Sequence, residues 1–315
     1  MRGGWRGRAA VRPLAARLAA VLAVSLLAAG CASSLALGSD GRIVAVGAEN
    51  QYADVIRQVG GKYVQASAIM SNPNSDPHTF EASAATGRLV NASRLVVQNG
   101  LGYDAFMDTL EDAVPDSGRR VIVVQKLLGL PDSTPNPHLW YDPATMPRVA
   151  AAVAEDLAAI QPSHAAYFRA NAKTFTNSLS AWINAVGTFK QHYPGTPVAT
   201  TEPVADYLLQ ALGADNKTPW PFQADVMNGT DPSAQDVAVE RSLFTSHEVK
   251  VFLYNQQVTD SLTESFISLA HANHIPVVGV YETMPEPGYR YQSWMLAEVR
   301  ALHNAVASHV SSEHL

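Results

Sequence analysis

The chain has a single cysteine, Cys31, among 315 residues. That excludes an intrachain disulfide and a thiolate metal cluster, so any metal chemistry must use nitrogen and oxygen donors. Positive charge is also scarce, 22 Lys+Arg against 28 Asp+Glu for a net charge of −6. No basic stripe with interleaved aromatics appears, and a nucleic-acid-binding surface needs one to neutralise phosphate. Nucleic acid is therefore not expected as a partner. There is no His-Glu-x-x-His helix for a zinc protease and no Gly-x-Ser-x-Gly elbow for serine chemistry. The one long apolar run, Leu18 to Ala29, is about 12 residues, too short to span a bilayer as a helix.

What is present begins at the N-terminus. Arg2, Arg6, Arg8, Arg12 and Arg17 precede the apolar run, and Ala28-Ala29-Gly30-Cys31 follows it. This is the pattern of a secretory signal. With a cysteine just after small residues it resembles a bacterial lipoprotein signal, in which Cys31 becomes the lipidated N-terminus. Ala28 stands where Leu is usual, although Leu26 and Leu27 lie just before it. The expected division is a signal over residues 1–30 and a tether over 31–41. The expected location is extracytoplasmic, anchored through Cys31.

Apolar content of 47% with 16% charged residues fits a soluble globular body of roughly two domains. Short apolar runs at Ile43–Val46, Val64–Met70, Leu95–Gln98 and Val121–Val124 alternate with helical patterns. The alternation restarts with Val198–Thr201, Val249–Tyr254 and Val277–Val280. Such alternation predicts an α/β fold with parallel-rich sheets flanked by helices. Between the halves, Tyr167, Phe168, Phe175, Leu179, Trp182, Ile183 and Val186 recur at three- and four-residue steps. Ser163 reads as the N-cap of one long helix of about 28 residues. Residues 42–162 and 193–315 are then two α/β lobes, and 163–192 the linking helix. The segment from Asp215 to Thr230 reads as loop-rich.

Four residues share one placement, in or at the start of a loop that follows a strand. They are His78 in Asp76-Pro-His78, His138 in Asn136-Pro-His138-Leu-Trp140, Glu202 in Thr201-Glu202-Pro203, and Glu282 in Tyr281-Glu282. Ligands of α/β sheets collect at the carboxyl ends of strands. Two imidazoles and two carboxylates suit Zn²⁺, Mn²⁺ or Fe²⁺. Pro77, Pro137 and Pro203 stiffen the presenting backbone. Singly, each residue also fits a turn, a helix start or a solvated loop.

Those segments, with Tyr207 downstream of Glu202, resemble the four ligand segments of the metal-binding proteins of bacterial ABC importers for zinc, manganese or iron. The resemblance covers about residues 42 to 312. It implies lobes joined by a rigid helix, with one transported divalent ion between them on His78, His138, Glu202 and Glu282. The last position is usually Asp in that family. Zinc members often carry His at the third position and a His-rich loop before the second. Glu202 and the short Pro131–Asn136 segment lean toward manganese or iron, although Zn²⁺ outcompetes Mn²⁺ at most N/O sites. Zinc and manganese are the first candidates and iron the third. The implied partner is an ABC permease, with the chain a monomer and not an enzyme. The alternatives are a metal-dependent hydrolase on the same ligands, or a surface adhesin.

Overall fold

The structure is a computed structural model and describes residues 1, 3–4, 41–72, 80, 83–285 and 287–315. Cys31 and His78 lie outside the described residues. The described residues from 41 onward form one compact unit.

In this unit β1 (Ile43–Glu49) leads into α1 (Asn50–Gly60), a 3₁₀ turn and β2 (Val64–Met70). Then come α2 (Ala84–Ala92), β3 (Leu95–Gln98), α3 (Phe106–Ala113), β4 (Arg120–Val123), α4 (Val124–Leu128) and α5 (Thr145–Ile160). Next are α6 (Ala165–Ser178) and α7 (Ser180–His192). The chain continues through β5 (Pro197–Thr200), α8 (Asp206–Leu212), β6 (Asp215–Asn216), α9 (Trp220–Met227) and α10 (Ala234–Thr245). It ends with β7 (Val251–Asn255), α11 (Ser261–Ala272), β8 (Val277–Val280) and α12 (Tyr291–Ser308).

The strands build two four-stranded sheets, ordered β2-β1-β3-β4 and β6-β5-β7-β8. Every strand pair in both is parallel. The apolar composition of β1, β3, β7 and β8 follows, because helices cover both faces of a parallel sheet. In each sheet the chain leaves its first strand to one side and later returns to the other. The β1/β3 border and the β5/β7 border are therefore topological switch points, where α/β sheets open a crevice beyond their carboxyl ends. At the first border the chain turns sharply. A Cβ at Gly47 would collide with the Ala53 backbone, so only glycine lets α1 fold back so closely on β1.

The predicted linking helix is two helices. Leu179 separates α6 from α7 with φ −74° and ψ −9°, and its N–H bonds to Thr176 in a tightened turn. The Ser178 hydroxyl donates to the Phe175 carbonyl, and such back-bonding bends helices. Ser163 is not the N-cap either: it lies inside a 3₁₀ turn, Pro162–His164, whose Pro162 starts the turn. The stretch predicted to be loop-rich contains β6 and α9.

One core runs through both lobes. A single apolar cluster contains Ile43 and Val97 of the first sheet, Val198 and Leu253 of the second, and Phe168, Trp182 and Trp294 from the helices between. Trp182, Trp294 and Tyr291 are fully buried, each worth about 1.5–3 kcal/mol by area alone. Trp182 meets Tyr291 edge-on at 5.8 Å between centroids. No helix among the described residues is long and apolar enough to cross a membrane.

Candidate metal centre

His138 sits at the head of a 3₁₀ turn, Leu139–Tyr141, and is completely buried. Two prolines make its approach rigid, and side chains fix the rest. Asn136 Oδ1 accepts from the His138 backbone N–H at 3.0 Å and lies 2.7 Å from His138 Nδ1. Asn136 Nδ2 donates to the Pro203 carbonyl at 2.8 Å. The backbone and carbonyl bonds set the orientation of the Asn136 amide, so Oδ1 is an acceptor and His138 Nδ1 carries the proton. When the ring is neutral, Nε2 presents a lone pair. It points at Glu282 Oε2, 3.3 Å away across the lobes. The ring is walled by Trp140 at 5.4 Å and Tyr103 at 5.9 Å between centroids.

Glu282 follows β8 by two residues and is fully buried. Its backbone N–H donates to Gln257 Oε1 at 2.6 Å, and its carbonyl accepts from Gln51 Nε2 at 3.2 Å. The Asn255 Nδ2 group donates to Glu282 Oε1 at 2.6 Å and to Glu202 Oε1 at 3.2 Å. Glu202 follows β5 and is 2% exposed. One amide thus bridges two buried carboxylates that would otherwise repel. Asn255 Oδ1 accepts from the Gln257 N–H at 2.9 Å, which holds the NH₂ group toward the acids.

Three of the four predicted residues, His138, Glu202 and Glu282, therefore meet through direct contacts or one shared amide. The fourth, His78, lies outside the described residues. Among the described residues no group of three or more His, Cys, Asp or Glu is spaced to hold an ion. Trp140, Tyr281 and Trp294 are buried. His271 is surface-exposed and pairs with Glu313 at 3.0 Å.

Sequence reasoning missed Asn255 and Gln257. Both lie at or just past the carboxyl end of β7, at the β5/β7 switch point, and the strand-end rule that found Glu202 reaches them too. Glu49 and Asn99, at the ends of β1 and β3, were missed likewise. Asn99 Nδ2 donates to the Pro137 carbonyl at 2.9 Å, and Tyr52 donates to Asn99 Oδ1 at 2.6 Å.

The lobes are stitched together around this centre. Asn50 exchanges hydrogen bonds with the Met284 backbone at 2.7 and 2.9 Å. Tyr141 donates to the Tyr281 carbonyl at 2.8 Å, and Tyr291 to the Trp140 carbonyl at 2.6 Å.

Two parallel α/β lobes with an imidazole and carboxylates buried at their junction define a class, the metal-binding receptors of bacterial importers. Comparison with known proteins agrees. The family described as "Zinc-uptake complex component A periplasmic" matches residues 46–305, and the chain belongs to it. The family is the extracytoplasmic metal-binding component of zinc and manganese ABC uptake systems, not a family of enzymes. The manganese-binding lipoprotein MntA of Bacillus subtilis is 25% identical over 169 residues, which is 51% of this chain and 55% of that one. The zinc-binding protein TroA of Treponema pallidum is 23% identical over 75% of this chain and 73% of its own. In fold, the Mn-bound periplasmic metal binding protein from Candidatus Liberibacter asiaticus superposes with a TM-score of 0.70. It is 17% identical over 84% of this chain and 100% of that one.

Proposed function

We propose that the chain captures one divalent first-row metal ion between its lobes and delivers it to an ABC permease. The proposed ligands are His138, Glu282, Glu202 and His78. The observation that carries this reading is the pair of buried acceptors, His138 Nε2 and Glu282 Oε2, facing each other at 3.3 Å. Two lone pairs at that distance repel unless a proton or a metal ion lies between them. An ion about 2.1 Å from each would subtend roughly 104°, close to tetrahedral. Asn136 supports the role by orienting the ring from its far side, as partners of metal-binding histidines do.

Zinc is proposed to bind more tightly than manganese, because intrinsic affinity at N/O sites follows that order. The chain acts as a monomer with lobes 42–162 and 193–315, held near its transporter by lipid on Cys31. The core and hydrogen bonds shared by the lobes support a small opening movement. Acidification toward pH 5 should weaken retention, since the ligand imidazoles must be unprotonated.

The test is elemental analysis of dialysed protein, wild type against H78A/H138A. One ion per chain in the wild type and none in the variant is expected. Unchanged stoichiometry in the variant would discard the site.

A further inference from the structure

We propose that Glu49 is a working residue of the cation site: a carboxylate held behind the ligands, whose negative charge the captured ion offsets and which thereby raises affinity. This rests on the metal-capture reading above.

Topology places Glu49 first. It is the last residue of β1, at the switch point of the first sheet. Glu202 follows β5, the strand in the equivalent place of the second sheet. The two lobes therefore present one carboxylate each from corresponding strand ends.

Burial makes the position informative. Glu49 is fully buried, and neither carboxylate oxygen has a hydrogen-bond partner in another residue. Other buried acids are provided for. Asp104 accepts from the backbone N–H groups of Asn99 and Gly100, Glu298 from Trp294 and Tyr141, and Glu240 from Thr218. Among the described residues no lysine or arginine pairs with Glu49. The charges that reach it are Asp104 and Glu282, both acidic. Burial, and then the Asp104 charge, push its carboxyl well above the usual range, the response of an acid without a counter-charge. A buried carboxylate left this way is costly unless it takes up a proton or a cation compensates it, and a captured ion can replace that proton.

The surroundings lead to the metal centre. The buried Tyr103 phenol feels the Glu282 and Glu49 carboxylates together, and its ring lies against His138. A purely local role is the alternative, since Glu49 occupies the N-cap position of α1. Its side chain makes no capping bond there.

The experiment compares full-length wild type, E49Q, E49D, E282Q and E240Q, each stripped of metal with a chelator. Zinc and manganese affinities are measured separately by competition with a chromophoric chelator, and melting is recorded with and without each ion. E49Q should bind both ions about 10–100-fold more weakly, the range for residues that support metal ligands. Its metal-induced rise in melting temperature should shrink in step. E49D keeps the charge and should retain most of the affinity that E49Q loses. E240Q, which removes a buried acid bonded to Thr218 and to none of the proposed ligands, should bind as wild type does. The proposal is overturned if E49Q binds within twofold of wild type. It is equally overturned if E49D loses as much as E49Q, or E240Q as much as either. Wild type and E282Q binding nothing would instead refute the capture reading itself.

Discussion

Replacing Asn136 by alanine removes the group that sets the His138 tautomer. The side chain is 7% exposed and makes three bonds, at 3.0, 2.7 and 2.8 Å. At about 0.5–1.5 kcal/mol net for each, the substitution should cost roughly 2–4 kcal/mol. For a chain of this size each kcal/mol moves the midpoint by about 2–4 °C, so a fall of roughly 6–12 °C is expected in metal-free protein. The larger consequence is chemical. Without an acceptor at Nδ1 the ring can carry its proton on Nε2, the atom that faces Glu282. Metal affinity should then fall about 10–100-fold. Scanning calorimetry and chelator competition on the same preparation separate the two effects. A lowered midpoint with affinity within twofold of wild type would refute the argument, since Asn136 would then only tie His138 to Pro203.

Other substitutions probe other parts of the account. E282Q should weaken binding at least 10-fold in chelator competition, because the amide keeps the bond geometry but not the charge; an unaffected affinity would move that ligand elsewhere. W182A should cost about 3–5 kcal/mol by urea unfolding and leave metal stoichiometry at one, and a smaller loss would mean the core between the lobes is not continuous. Burial raises the Glu240 carboxyl to about 8. Between its unfolded value and that value the folded state holds a proton that the unfolded state releases. Its contribution therefore makes stability fall as pH rises from about 5 to about 8, by up to about 1.4 kcal/mol per pH unit. E240Q should flatten that slope in chemical denaturation at several pH values, and an identical slope in both proteins would contradict it.

Much of the fold is legible in the sequence because buried parallel strands leave continuous apolar runs. Val277–Val280 has the same limits by either route. The apolar run of β1 stops short at Val46 because Gly47 and Glu49 break it, yet the ladder continues to a pairing of Glu49 with Met70. That shortening hid Glu49 from the strand-end rule. α9 escaped because Pro219 and Pro221 flank Trp220 at its start, a composition that also marks a loop. The apolar repeat across α6 and α7 reveals helix but not the tightened turn at Leu179, which depends on hydroxyls bonding to the backbone. At the candidate metal centre, Glu202, Glu282 and His138 stood out by type. Asn255 did not, because an amide bridging two acids carries no ligand signature until the strand ends are brought together.

Capture requires an ion lying between His138 Nε2 and Glu282. The direct test is anomalous diffraction from crystals of the metal-loaded protein, collected at the absorption edge of the bound ion. The predicted result is one peak about 2.0–2.2 Å from both atoms. A peak elsewhere, such as beside His271 and Glu313, with none at His138, would contradict it.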